Sequence, residues 1–319
     1  MIGGLGLMLG LAGALGADSR KDFSPRCYQY VKSAANPVLE KGTDYWEALG
    51  VLHVFVLRPP ETGEYMMWYT GMAAPGYEFR QIGLATSRDG IKWEKYEGNP
   101  VLRRGAEGEF DDVHLHMPSV LWDAKAQLFR MWYVGYQNNV GHTIGYAESP
   151  DGRQWTKVGK VLGFGKEGEF DSGSLRVPTV IFDVDEQLYK MWYNGTKPGE
   201  HYGPTGYATS PDGIHWTKHG AITDGARLLD GHVEKIGGRY HMWWNSGPNL
   251  AYSWSEDGVH WTDEGVILDP GPKEYDAQYI QAPTVVVEPE GECVHLWYNG
   301  ATRYPEEVCS VGYAEGRRK

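Results

Sequence analysis

Two histidines at alternate positions, His114 and His116, carry the sharpest chemical pattern in this 319-residue chain. Side chains at i and i+2 of a β-strand share a face, so both imidazoles meet the same neighbour. Two such rings with one carboxylate make a ligand set for a transition metal, and Asp230 is the carboxylate that an alignment of repeats brings beside them. The same rings serve equally well to hydrogen-bond hydroxyl groups, and on that reading no cofactor is needed. Asp112 falls on their face by alternation, while Glu234, in Asp230-Gly231-His232-Val233-Glu234, shares the alternation of Asp230. Two carboxyls facing one ligand can act as general acid and general base. Glu47, Asp111, Asp171 and Asp276 recur at one position of a repeat. Their recurrence favours an anchoring role, with Glu47 and Asp171 kept among the candidate acids. Arg176 offers a planar fork that matches a carboxylate.

The elements that must position these groups are repeats. Trp68-Tyr69-Thr70-Gly71, Trp132-Tyr133-Val134-Gly135, Trp192-Tyr193-Asn194-Gly195, Trp243-Trp244-Asn245-Ser246 and Trp297-Tyr298-Asn299-Gly300 are five copies of one turn. Four are followed by Ser-x-Asp-Gly-x-x-Trp, ending at Trp93, Trp155, Trp216 and Trp261. A period of about 45 to 65 residues of short strands and turns is that of a propeller blade. Aromatic and β-branched runs such as Leu128–Tyr133 read as strands, and the Asp-Gly pairs as hairpin turns between them. The spacing predicts an all-β, five-bladed β-propeller with four antiparallel strands per blade. In the second blade these are Ser119 to Trp122, Leu128 to Val134, Thr143 to Glu148 and Gln154 to Val158.

The last blade has no Asp-Gly-x-x-Trp and ends after three strands. Near the other terminus, Tyr28-Gln29-Tyr30-Val31-Lys32 followed by Asn36-Pro37-Val38-Leu39 matches Ile91 to Lys95 followed by Asn99-Pro100-Val101-Leu102. The N-terminal segment is therefore expected to complete the last blade and close the ring, leaving no unpaired edge.

Innermost strands of a propeller line its axis, where a ligand site is sought. Aligned on the WYxG Trp, Pro118, Pro178 and Pro283 share a position with Val54; two residues earlier stand Leu52, His116, Arg176 and Gln281, and four earlier Gly50, His114, Ser174 and Tyr279. A shortened hairpin at Gly237-Gly238 places Asp230 with His116, Arg176 and Gln281, and His232 at the proline position. His114, His116, Arg176, His232, Tyr279 and Gln281 are the expected ligand-binding residues, since they differ at positions where a purely structural repeat would not.

A formal charge of −12 excludes nucleic acid and an anionic membrane surface as partners, and no run is long enough to span a bilayer. Nine of the thirteen Trp occupy the two repeated positions and read as packing between blades. Met1 to Ala17 reads as a signal peptide ending in Ala14-Leu15-Gly16, which predicts a secreted or periplasmic protein. Residues 27–319 read as one domain, expected to be a monomer. In an exported chain Cys293 and Cys309 are a candidate pair, two free thiols being the alternative, with Cys27 left over. Asn194-Gly195-Thr196 matches a glycosylation sequon.

The WYNG turn, the strands Ile82-Gly83-Leu84-Ala85-Thr86-Ser87, Ile144-Gly145-Tyr146-Ala147 and Gly206-Tyr207-Ala208-Thr209-Ser210, the Asp-Gly-x-x-Trp turn and the Asn-Pro-Val-Leu linker together resemble the five-bladed propeller glycosidases, families 43 and 32 of the glycoside hydrolases and their relatives. The resemblance covers nearly the whole chain from Cys27. It implies the propeller fold, an oligo- or polysaccharide partner, and three carboxylates on the first three blades, next to or two before the inner-strand proline. Those positions here read Leu52-His53, His116-Met117 and Arg176-Val177, none acidic. Three functions stay open: a glycoside hydrolase whose acids stand elsewhere (Glu47, Asp112, Asp171, Asp230, Glu234), a non-catalytic carbohydrate-binding propeller, and a metal-dependent carbohydrate-active enzyme using His114 and His116. The Ser-x-Asp-Gly-x-x-Trp turns also resemble the sialidase Asp box, one residue short.

Overall fold

The computed structural model describes Phe23 and residues 28–73, 79–225, 228–272, 274–288, 291–301 and 309–319. The signal-peptide reading of Met1 to Ala17, and Cys27, lie outside them. Strand β1 (Tyr28–Lys32) precedes the first blade, which runs β2 (Gly50–Leu57), β3 (Tyr65–Met72), β4 (Arg80–Ser87) and β5 (Glu94–Lys95). The second is β6 (His114–Asp123), β7 (Leu128–Gln137), β8 (Gly141–Ser149) and β9 (Thr156–Leu162), and the third β10 (Ser174–Asp183), β11 (Leu188–Thr196), β12 (Thr205–Ser210) and β13 (Thr217–Ala221). The fourth is β14 (Leu229–Ile236), β15 (Arg239–Ser246), β16 (Asn249–Ser255) and β17 (Thr262–Leu268); the last begins with β18 (Tyr279–Val287), β19 (Cys293–Ala301) and β20 (Cys309–Arg318). Each of the five sheets is four-stranded and antiparallel, and the last has the order β1-β20-β19-β18. The N-terminal strand thus closes the ring, with Tyr30 opposite Gly316 and Lys32 opposite Ala314.

The repeated tryptophans join blade to blade. Ser87 Oγ accepts from Gly90 N at 2.9 Å and Asp89 Oδ1 accepts from Ile91 and Lys92 N, which fixes the Gly90 carbonyl in a turn where φ is 73°. That carbonyl accepts two indole protons, from Trp93 of its own turn at 3.0 Å and from Trp297 of the neighbouring blade at 2.8 Å. Trp68, Trp132 and Trp192 reach Gly152, Gly213 and Gly258 in the same way. The last blade has no such turn, and Trp243 donates instead to the hydroxyl of Tyr30 on β1, 3.3 Å away.

The recurring acids are a second fastening, the role their recurrence favoured, and Glu47 and Asp171, kept among the candidate acids, take part in it. Glu47, Asp111, Asp171 and Asp276 are each buried and accept from the WYxG tyrosines Tyr69, Tyr133, Tyr193 and Tyr298 at 2.9 to 3.2 Å. Each also pairs with a lysine of the outermost strand, Lys95, Lys157, Lys218 and Lys32, at 2.6 to 2.8 Å. In all four blades one oxygen of the acid takes both the tyrosine and the lysine, which ties the second strand of the blade to its outermost strand. Lys32 comes from β1, so the closing strand completes the motif of the blade it joins.

Lys32→Ala is expected to cost about 2 kcal/mol in chemical denaturation, below the roughly 3–5 of a fully buried pair because Lys32 reaches solvent. The side-chain exposures of Lys32 and Asp276 are 22% and 1%. Adding Asp276→Asn should recover part of the loss by removing the stranded charge. A loss no larger than that of an exposed lysine such as Lys125 would show that the pair does not secure the ring.

The candidate pairing of Cys293 with Cys309 is not formed. Each residue begins its strand, and in an antiparallel hairpin two beginnings lie at opposite ends, Cys293 opposite Arg317 and Cys309 opposite Ala301. Asn194 of the sequon is buried and donates to Thr205 Oγ1 at 2.8 Å, so its amide is not presented for modification. No helix among the described residues is long and apolar enough to cross a membrane.

Candidate functional site

The five innermost strands share a distortion that sets the shape of the axis. The pairing of each with its neighbour slips at Leu52/Phe55, His116/Ser119, Arg176/Thr179, Leu229/His232 and Gln281/Thr284. At each slip one residue takes a left-handed backbone: His53, Met117, Val177, Asp230 and Ala282, with φ between 45° and 55°. A bulge leaves one residue unpaired and re-aims its side chain. The unusual backbone is held from the preceding blade, where Thr70 accepts from Met117 N at 3.2 Å, Asn194 from Asp230 N at 3.3 Å and Asn245 from Ala282 N at 2.8 Å. In these three blades the variable third residue of WYxG thereby secures the next bulge.

These slips correct the register of the fourth blade. Asp230 stands with His53, Met117, Val177 and Ala282, not with His116, Arg176 and Gln281, and His232 stands with Ser119, Thr179 and Thr284, one beyond the proline. The shortened hairpin conceals a bulge whose extra residue a gapless count cannot register.

A cavity of about 880 Å³ opens over the first three blades, lined by Arg80, Arg104, Glu107, Asp112, His114, His116, Tyr136, His142 and Arg176 among others. Tyr279, Gln281, Asp230, His232 and Glu234 do not line it. Asp230 and His232 face a smaller axial space together with His53, Met117 and Ala282. Glu234 borders neither space and pairs with His232 at 3.1 Å. The metal set His114, His116 and Asp230 is not assembled; His142 takes the place of Asp230 in a cluster whose three candidate ligand atoms lie within 4.8 Å of one another. Antiparallel register explains it, because His114, Tyr136 and His142 stand opposite one another across β6, β7 and β8. His142 was missed in the sequence although the Asn138-Asn139-Val140-Gly141 turn, with Asn139 at φ 60°, marks the hairpin that delivers it. Arg80 and Arg104 left no periodic signal, since one begins β4 and the other lies in a linker.

Electrostatics separate the cavity from the rest of the chain. Three arginines face two carboxylates there, within a protein of formal charge −12. Burial drives the His142 imidazole down to about 3, with Arg176 adding to the effect, and His53 likewise to about 3 with Arg80 adding. Burial, Arg80 and the neighbouring histidines hold His116 well below the usual imidazole range. These three rings are neutral at neutral pH. Arg80 Nη1 lies 3.2 Å from His116 Nδ1, and because guanidinium only donates, Nδ1 accepts and the ring proton sits on Nε2. His116 is 1% exposed and its Nε2 has no hydrogen-bond partner, an uncommon state for a buried polar atom. Asp112 Oδ2 accepts from Gly108 N at 2.8 Å, while its Oδ1 is likewise buried without a partner.

Asp230 is perturbed in the opposite sense to Asp89, Asp123 and Asp151, which are lowered. Burial raises its carboxyl to about 6, against the lowering influence of Arg176 and of Asn245, which donates to Oδ2. A carboxyl raised on folding stabilises the fold fully below its unfolded value, near 3.9, and loses that contribution as pH climbs through about 6. Asp230→Asn is therefore expected to gain Tm relative to the parent as pH goes from 4 to 7.5, in parallel thermal melts. A difference independent of pH would show that Asp230 titrates like an exposed acid.

Fold and cavity together define a five-bladed propeller similar to the glycoside hydrolase propellers. Residues 57–172 match the family model of the glycosyl hydrolases family 32 N-terminal domain. The chain is 30% identical over 197 residues to uncharacterized protein Rv1502 of Mycobacterium tuberculosis (strain ATCC 25618 / H37Rv), a match that spans 58% of this chain and 60% of the relative. Among solved structures, a glycoside hydrolase superposes with a TM-score of 0.69 at 18% identity, covering 86% of this chain and 89% of that one. Zg3597, a family 117 glycoside hydrolase of the marine bacterium Zobellia galactanivorans, superposes with a TM-score of 0.65 at 16% identity, covering 92% and 91%. At these identities the structural likeness speaks for the fold.

Proposed function

We propose that the chain is a carbohydrate-active enzyme, a glycoside hydrolase that takes an oligo- or polysaccharide bearing an acidic group into the cavity of the first three blades. The observation that carries this reading is the convergence of Arg80, Arg104 and Arg176 on one cavity of an otherwise acidic protein. Guanidinium forks match carboxylate and sulfate oxygens in two-point geometry. Asp112 supplies the carboxylate with an uncommitted oxygen in this cavity. Glycosidic cleavage pairs two carboxyl groups at one site, and Glu107 is the second one lining the same cavity. The neutral imidazoles and Tyr136 bind hydroxyl groups. Export, expected from the N-terminal segment, fits a polymeric substrate too large to enter a cell.

The test is product release from a panel of glycans that pairs uronate-containing or sulfated polymers with neutral ones of the same linkage. Turnover of the charged members only, weakened by salt, is expected. Equal turnover of neutral partners would remove the role given to the arginines. Binding without release favours the second reading, a carbohydrate-binding propeller, to which the non-acidic Leu52, His116 and Arg176 positions also point.

A further inference from the structure

We propose that His114, His116 and His142 form the seat of a divalent first-row transition ion, of the class of Zn²⁺ or Co²⁺. The inference goes beyond the hydrolase reading and does not need it. Three imidazoles from β6 and β8 bring one ligand atom each to within 4.8 Å of the other two, a spacing that small side-chain rotations close on a common centre. They face the cavity of about 880 Å³, which gives the ion an entry path and leaves coordination positions for water or a ligand oxygen.

Two observations single out this cluster. First, His116 Nε2 is an unpartnered buried atom in a ring only 1% exposed. Secondly, the cluster is sterically supported: Tyr136 stacks on His114 with centroids 4.7 Å apart and lies 4.5 Å from His142, and Ser174 Oγ is 3.3 Å from His142 Nδ1, a contact that orients a ring as outer partners of metal histidines do. Among the described residues the other grouping of suitable side chains, Cys293, His295 and Glu315, is already engaged: both nitrogens of His295 are hydrogen-bonded, to Tyr313 and to Glu288, and burial pushes the Cys293 thiol up to about 11.

Arg80 sharpens the proposal because it opposes the ion. Its positive charge lies beside the site, and by donating to His116 Nδ1 it places on Nε2 a proton that the metal must displace. Asp112 and an acidic ligand group are the countercharges available in the same cavity. Arg80→Gln removes the positive charge and provides an amide oxygen that can accept from Nδ1–H, the outer-shell arrangement typical of metal histidines. This variant should bind metal about 10- to 100-fold more tightly.

The experiment uses the full chain, stripped with EDTA and titrated with Co²⁺ by visible absorption and calorimetry, with Zn²⁺ counted by elemental analysis after desalting. One Co²⁺ per chain is expected, with His142→Ala and His114→Ala each losing at least about 100-fold in affinity and Cys293→Ala unchanged. His142 is only half-buried, so His142→Ala is expected to keep its Tm, which separates lost ligation from lost fold. No retained metal in the parent chain, or equal affinity in His142→Ala, overturns the proposal; so does an Arg80→Gln variant that binds no more tightly. No sugar is needed for these readouts. A chain that binds Co²⁺ and releases no product overturns the hydrolase reading alone, and release of product by a chain with no Co²⁺ seat overturns the metal alone.

Discussion

Asp112→Asn should lower turnover of an acidic glycan by about 10²–10⁴-fold, the range for removing a general base, while KM changes little. The substitution is close to isosteric, and its amide oxygen can still accept from Gly108 N, which Asp112 Oδ2 holds at 2.8 Å. What it removes is the charge and basicity of Oδ1, the oxygen left without a partner at the cavity wall. Asp171→Asn is the informative contrast, because Asp171 is buried and committed to Tyr193 and Lys218. It is expected to lower Tm and leave the rate per folded molecule nearly intact. A loss of turnover below about tenfold in Asp112→Asn would take Asp112 out of the chemistry. An equal loss in Asp171→Asn, with Tm unchanged, would reverse the two assignments.

Trp132→Ala is expected to produce the largest loss of stability, about 3–5 kcal/mol in chemical denaturation. Its side chain is fully buried between the second and third blades, within 5.2 to 6.2 Å of the rings of Tyr146, Tyr189 and Trp216, and its indole donates to Gly213 O at 2.8 Å. Truncation loses the transfer free energy, opens a cavity between blades and removes that bond. Trp132→Phe should keep most of the packing and lose about 1–2 kcal/mol, the share of the hydrogen bond and of the smaller ring. Trp122, half-buried at the outer end of β6 with an indole N–H that has no hydrogen-bond partner, should tolerate alanine far better. Similar losses at Trp122 and Trp132 would mean that burial alone, and not the blade joint, accounts for the repeated tryptophan.

The blades were readable because their fastening is local and repeated. Ser87, Asp89, Gly90 and Trp93 close a turn within seven residues, so their spacing is written into the chain four times. The closing strand was readable for the same reason: Lys32 stands to Tyr30 as Lys95 to Trp93, and Asn36 bonds to Tyr313 as Asn99 bonds to Leu84. The inner strands of the first, second, third and fifth blades could be aligned on their proline or its equivalent. Only the fourth, with glycine at that position, slipped by one.

The site was legible in part. His114, His116, Asp112 and Arg176 could be placed on one face by alternation, a property of a single strand that needs no knowledge of its neighbours. Whether an acid was engaged could not be read that way. Asp111 and Asp112 are adjacent, yet one is held by Tyr133 and Lys157 and the other faces the cavity, a difference set by a tyrosine 22 positions away and a lysine 46 away.

By itself, then, the sequence determined the number of blades, their strands, the closure of the ring and the face on which the histidines stand, because each depends on contacts between residues a few positions apart or on a motif repeated in register. Tertiary structure alone decided that His142, Arg80 and Arg104 join that face, that Asp230 turns on a bulge into a different space, and which tyrosine and lysine engage Glu47 and Asp171. Those outcomes depend on packing separate strands and blades around a common axis, and the identity of a residue carries no record of which distant side chain will come within hydrogen-bonding reach of it.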